Sequence, residues 1–463
     1  MGRTILADER IQAYVENLLQ SKTWFLGVII GKLTSQKDFA VHLVRTPEPL
    51  DDQASSDDDE AATVSERKKR RRSQTKPSEL GDMQEQWAAT HARQVTMMLP
   101  GGLNVIGIFA VAPPAMMQAA QSKLRQVLFA IQKQEKKSQM SELGDSIGDR
   151  ILLQICSSTR KYTCRTIDVT DTKSTFRPAE WKTQGGQERW QRLETQMAVN
   201  IPLNIAQTSR QTGLAKQIQV GLQPYIGRVC TSLILVDDSL RQEVDALDQS
   251  TEKRGKSRDK VTTENQSAHK CSVLLKQGTS GDVPEPSVKV CSTQLVIKGT
   301  LHGRAYVTSK ATVADAQNSM RTDIVRSVLS RCELLSDDIQ VVEEDVESHE
   351  VYSTPRRVFF PLPGTSLQLC DYMFQDEKAS EVKGRVRELL DLKLEDDDLD
   401  FTHERPPTEE DCSQLVATET ESGEVKGDNS NGAPGMKYYM MAGIGAVTAF
   451  LAAGLSYIYG QDT

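Results

Sequence analysis

Hydrophobic positions along this chain follow two periods, broken by long stretches that hold almost none. Near the start, Ile11, Val15, Leu18 and Leu19 recur at helical spacing, with Asp8 placed to cap the helix. The run Thr23–Gly31 is continuously apolar and short, which predicts a buried strand, and Ala40–Val44 alternates as its hairpin partner. A helix is predicted from Gln86 to the Pro100-Gly101-Gly102 turn, followed by a buried strand over Leu103–Val111. Pro113-Pro114 then opens a helix with Met117, Leu124, Val127, Leu128 and Ile131 on one face. Ile151–Cys156 and Tyr162–Val169 read as a strand pair, with Trp181, Trp190 and Met197–Ile205 covering the sheet.

Further along, Ser287–Ile297 and Gly303–Ser309 read as two strands of a pair. They lead into a helix bearing Ile324, Val325, Val328, Leu329, Cys332 and Leu335. Val358–Pro361 and Ser366–Tyr372 are strands, and Val382, Val386, Leu389 and Leu390 mark a last amphipathic helix. Strands with helices between them predict an α/β (α+β) fold. Two polar insertions, 51–85 and 237–269, lack the apolar residues to fold and are expected to be disordered. The chain thus divides into an α/β domain at 1–205, a second α/β region at 206–394 and an acidic flexible linker at 395–437.

A different pattern closes the chain. Tyr438–Gly460 is 23 residues without a charge, apolar all round, and long enough as a helix to span roughly 35 Å. Tyr438 and Tyr439 at one end and Tyr457 and Tyr459 at the other suit the two interfaces of a bilayer. Gly445, Ala449 and Ala453 form a small-residue ridge. The segment is expected to be a transmembrane tail anchor, inserted after synthesis, with the bulk of the chain in the cytosol. The charged N-terminus carries no secretory signal, and Leu6 breaks the myristoylation pattern after Gly2.

Composition adds little to this picture except by exclusion. The net charge of -8 resides in clusters. The basic run Arg67–Arg72 follows the acidic run Ser55–Glu60 and has no interleaved aromatics, so it reads as solvated loop rather than a nucleic-acid site. Eight scattered cysteines (Cys156, Cys164, Cys230, Cys271, Cys291, Cys332, Cys370 and Cys412) form no CxxC and fit reduced thiols. No HExxH, phosphate-loop or nucleophile-elbow motif occurs, and the six histidines are dispersed. The one catalytic alternative is a membrane-tethered hydrolase in which Cys291 and His302 meet across a hairpin.

Several motifs together carry a resemblance. MGRT, the hairpin with LGVIIG and SQKDF, HARQVTMMLPGGLNVIGIF, ICSSTRKYTCRTID, RPAEWK, RVFFPLPG, LCDY and the terminal span resemble the odorant-response-abnormal protein four family. The resemblance implies a single-pass endoplasmic-reticulum protein that supports maturation and trafficking of a subset of G-protein-coupled receptors. It also implies a partner, a cysteine protease specific for a ubiquitin-fold modifier, paired with this chain as a heterodimer at the membrane. No enzyme activity and no cofactor are expected.

FLGVIIG followed by VIGIFAVAP is similar to the two core strands of MPN-type domains, some of which are zinc isopeptidases. The positions that hold the active forms' glutamate and paired histidines are here Trp24, Ala110 and Ala112. None of these side chains offers zinc a ligand, so the resemblance implies a non-catalytic MPN-like core.

Overall fold

A computed structural model describes residues 2–21, 23–35, 37–48, 77–137, 147–185, 189–206, 213–247, 268–276, 291–342, 351–405 and 436–442. Seven strands close into a barrel: β1 (Thr4–Asp8), β2 (Phe25–Lys32), β3 (Asp38–Arg45), β4 (Asn104–Ala112), β5 (Asp149–Cys156), β6 (Tyr162–Asp168) and β7 (Arg177–Gln184). Their order is β1-β3-β2-β4-β5-β6-β7, and β7 returns to pair in parallel with β1. The predicted hairpin is β2–β3, and β4 lies antiparallel on the other side of β2.

Both faces of these central strands are buried, which explains why FLGVIIG is an unbroken apolar run. Phe25, Ile29, Leu43, Phe109 and Leu153 pack on one side with Ile11, Val15 and Leu18 of α1 (Arg10–Gln20). The N-cap of α1 is Glu9 rather than Asp8. Asp8 lies one residue earlier and still accepts the Arg10 N–H at 3.0 Å. On the other side, Leu26, Val28, Ile30, Val105 and Ile108 pack against α2 (Glu85–Met97), α3 (Pro114–Ala119) and α4 (Gln121–Lys137). The helix expected after Pro113 is therefore two helices, broken at Ala120.

A second sheet has the order β12-β15-β11-β8-β10-β9. Its spine is β8 (Trp190–Ala206) paired antiparallel with β11 (Cys291–Thr308) along nearly their whole length. β9 (Leu233–Val236), β10 (His269–Leu274), β12 (Val351–Thr354) and β15 (Met436–Ala442) complete it. Helices α5 (Leu214–Gly221), α6 (Gln223–Cys230) and α7 (Val313–Val342) supply Ile218, Ile226, Ile324 and Val325 to its core.

Two expectations fail here. Met197–Ile205 is not a cover for the first sheet but part of the central strand of the second. The two strands expected at Ser287–Ile297 and Gly303–Ser309 are one strand, β11. Gly299 and Gly303 fall on the same face as Leu295, Ile297, Leu301, Ala305 and Val307, so two blanks interrupt an alternation that continues. At Gly303 a Cβ would approach Thr195 Cγ2 within 2.7 Å, which shows why no side chain stands there.

The hairpin β13 (Arg356–Pro361) and β14 (Gln368–Met373), with α8 (Ala379–Leu390), packs into the apolar cluster that covers the barrel. The chain continues in close contact beyond Glu395: Leu399 is buried and Asp400 bridges to Phe359. The stretch read as linker from 395 is thus packed through Arg405, and residues 406–435 lie outside those described. Of the expected insertions, 77–85 is packed through Leu80 and Met83, and 237–247 is anchored by a Leu247 N–H to Ala311 carbonyl bond.

Within the expected membrane span, residues 438–442 belong to β15, a strand parallel to β11 and to β12. Paired aromatics are good strand formers, and an all-round apolar run has no period to choose helix over strand. Residues 443–460, with Gly445, Ala449, Ala453, Tyr457 and Tyr459, lie outside the described residues. No helix among the described residues is long and apolar enough to cross a membrane.

Candidate functional site

The two sheets meet at the Leu99–Asn104 turn. Gly102 has φ of +83°, and a Cβ there would lie 1.9 Å from the Tyr306 carbonyl oxygen, so only glycine fits. The Gly101 N–H donates to the Arg304 carbonyl at 3.0 Å, and the Tyr306 N–H to the Gly101 carbonyl at 2.8 Å, stitching the turn onto β11. Arg326 of α7 donates to the carbonyls of Leu99, Pro100 and Leu103 and to Asn104 Oδ1 at 2.6–3.2 Å. Pro-Gly-Gly, read from sequence as an ordinary turn into a strand, is the peg that joins barrel to sheet.

Beneath it lies a cluster of buried charges. Asp323, wholly buried, accepts the N–H groups of Gly101 and Arg304 at 2.8 Å each and both Nη atoms of Arg357 at 2.7 and 2.8 Å. Burial opposes the charge on Arg357, but the Asp323 carboxylate outweighs it and holds the guanidinium firmly protonated. Glu404 accepts two bonds from Arg331 Nη2 at 2.7 Å, the Arg357 N–H at 2.8 Å and the His302 N–H at 3.0 Å. Burial works against its charge as well, and Arg331 keeps its carboxyl below the usual range.

Arg304 is the third centre. Its guanidinium lies 4.0 Å above the Phe359 ring, donates to Glu194 Oε1 at 2.6 Å and to His403 Nε2 at 2.8 Å, and reaches Gln368. His403 stacks on His302 at 4.3 Å. Burial, with His403 and Arg304 beside it, pushes the His302 imidazole down to about 4, so it is neutral at pH 7.

Glu194, His302 and His403 bring three ligand atoms within 4.8 Å of one another, a donor set that suits a divalent transition metal. The Arg304 guanidinium already bonds two of the three, so the cation this pocket neutralises is the protein's own. With Arg304 in place the geometry describes a structural ion cluster.

The catalytic alternative does not assemble. Cys291 pairs with Ala206 and His302 with Gln196, eleven positions apart on one continuous strand, or about 35 Å. Cys271 is near His302 in sequence register, but it faces the helix-covered core while His302 faces Phe359. Cys156, Cys164, Cys230, Cys271, Cys332 and Cys370 form no disulfide.

Trp24, Ala110 and Ala112 are brought together. The β2–β4 register pairs Phe25 with Val111, all three residues are buried in one apolar cluster, and Trp24 Nε1 donates to the carbonyls of Pro77 and Ser78 at 3.2 Å. The charge cluster itself was missed by sequence reasoning. Its members come from residues 194, 302–304, 323, 331, 357 and 403–404, and no local pattern joins them. The available signal was the pair Arg326 and Arg331 set among Ile324, Val325, Val328, Leu329 and Cys332 on one stretch of α7.

Barrel, sheet and interlocked ions define a mixed α/β protein. A family model described as odorant response abnormal 4-like matches residues 27–401. The chain belongs to this ODR4-like family. A protein odr-4 homolog from Homo sapiens is 32% identical over the whole of both chains. One from Drosophila melanogaster is 22% identical over 88% of each. Odorant response abnormal protein 4 from Caenorhabditis elegans is 22% identical over 72% of this chain and 69% of its own. Among solved structures, the crystal structure of UfSP from C. elegans overlaps 84% of this chain and 57% of its own at 10% identity, with a TM-score of 0.43.

Proposed function

We propose that this chain is a non-catalytic adaptor of the endoplasmic-reticulum membrane. In this reading its cytosolic body holds a cysteine protease specific for a ubiquitin-fold modifier, and the pair supports maturation and trafficking of a subset of G-protein-coupled receptors. The observation that carries it is family membership along residues 27–401, among relatives named for the odorant response. The scaffold chemistry agrees: the one tight group of histidines and carboxylates among the described residues is occupied by arginine. The β2–β4 core is read as MPN-like, with Trp24, Ala110 and Ala112 in place of zinc ligands.

Anchorage is assigned to residues 443–460, the part of the apolar segment that follows β15. Eighteen residues as a helix give about 27 Å, at the short end of what spans a bilayer. Leaving β15 in the sheet would hold the folded body close to the bilayer.

Affinity purification tests the reading. The full chain and a chain ending at Lys437 are each captured from cells, and co-purifying proteins are quantified. A protease for a ubiquitin-fold modifier should accompany both forms at comparable yield. Its absence from both would refute the adaptor role.

A further inference from the structure

Leu399–Arg405 forms a strap across β13 and the charged joint, and it is tied to the body at several points. Asp400 exchanges backbone bonds with Phe359 at 2.8 and 3.2 Å. Glu404 takes bonds from Arg331, from the Arg357 N–H and from the His302 N–H at 2.7–3.0 Å. His403 is bonded to Arg304 of β11. This last tie differs from the others, because imidazoles ordinarily change charge between about pH 5 and 8.

His403 Nε2 stands between two groups that make opposite demands on it. Arg304 Nη2, 2.8 Å away, can only donate, whereas the ionised Asp400 Oδ2, 3.0 Å away, can only accept. One nitrogen cannot meet both. Without a proton, Nε2 accepts from Arg304 and the strap is bonded to the body. With a proton, it donates to Asp400, three residues earlier in the strap itself, and the Arg304 bond is lost. Burial opposes ionisation of Asp400, but bonds from Thr402 outweigh it and keep the carboxyl below its usual range.

The surroundings sharpen the choice. Arg304 is buried, and its Nη2 bonds both Glu194 Oε1 of β8 and His403 Nε2, so a charged ring sets a second cation against it. His302 of β11 stacks on the ring at 4.3 Å, and burial pushes it down to about 4. Phe359 of β13 meets the ring edge-on at 5.6 Å, with Arg357 5.0 Å from the Phe359 centroid. The neighbouring Glu404 carboxylate is paired with Arg331 of α7.

We propose that His403 is a proton-operated latch: neutral, it ties the strap to Arg304, and protonated, it turns to Asp400 and lets the strap lift from the joint between barrel and sheet. The tie is complete above the titration of His403 and is lost as pH falls through it. The latch does not depend on the adaptor reading.

The test is hydrogen exchange of the full chain in detergent micelles between pH 8 and 5, the interval in which imidazoles ordinarily titrate. Mass spectrometry reads protection factors, which divide out the pH dependence of exchange itself. Peptides covering Leu399–Arg405 and Arg356–Pro361 should lose protection by about tenfold or more as pH falls, the worth of one hydrogen bond to a charged group. His403→Gln can accept from Arg304 through its amide oxygen but cannot gain a proton, so its loss should stay within about threefold. Asp400→Asn removes the carboxylate that receives the charged ring and should move the loss to lower pH by about one unit. Unchanged protection in the native chain, an equal loss in His403→Gln, or an unshifted profile in Asp400→Asn would each overturn the latch.

Discussion

Replacing Asp323 perturbs the joint between barrel and sheet at its most loaded atom pair. Its carboxylate takes four hydrogen bonds, two from Arg357 and two from the backbone of Gly101 and Arg304. Asp323→Asn keeps the shape but leaves the Arg357 charge unpaired in a fully buried place. Breaking a buried pair from one side costs about 3–5 kcal/mol. That is a large share of the roughly 5–15 kcal/mol that keeps a domain folded. Arg357→Met should cost a similar amount, because it strands the carboxylate. The double variant removes both charges together, so its cost should fall short of the sum of the singles by about 3 kcal/mol. Urea unfolding of the full chain in micelles at pH 7, followed by tryptophan fluorescence, supplies the cycle. A coupling below about 1 kcal/mol would refute the argument that this pair holds the joint.

Three further outcomes follow from the same geometry. Gly102→Ala places a Cβ against the Tyr306 carbonyl at positive φ and should destabilise by at least about 2 kcal/mol, read as a lower urea midpoint, while Gly81→Ala, with open space around it, should be near neutral. Burial holds His91 and His302 at about 4. The unfolded chain binds protons below about 6.5 and the folded one does not, so stability should fall as pH drops from about 6.5 to 4. Each histidine contributes up to about 3 kcal/mol to that fall, and a flat urea midpoint between pH 7 and 4.5 would contradict it. Added zinc should leave the melting temperature of the native protein unchanged, since Arg304 bonds Glu194 and His403; a zinc-dependent rise would overturn the structural reading of that cluster.

Much of the barrel was legible because its signals are local. β2 and β4 announce themselves as apolar runs and β3 as an alternation, and the buried faces of α1, α4, α7 and α8 recur at helical spacing. β1 was not legible: Thr4–Asp8 is short and half polar, and it becomes a strand only through parallel pairing with β3 and β7, distant in sequence. The length of β11 was hidden by Gly299 and Gly303, the second of which packs closely against Thr195. The charge cluster was invisible because its partners lie up to 110 residues apart, as Arg304 and Glu194 do, and each alone looks like a solvated charge. The tail misled in another way. An apolar run long enough for a membrane begins, over Tyr438–Ala442, as a strand of the second sheet.

The measurement closest to the central claim is cell fractionation of the chain with and without residues 443–463. The adaptor account predicts that the full chain and its bound protease sediment with reticulum membranes, and that truncation moves both to the soluble fraction together. If the truncated chain becomes soluble while the protease stays on membranes at an unchanged level, recruitment by this chain is contradicted.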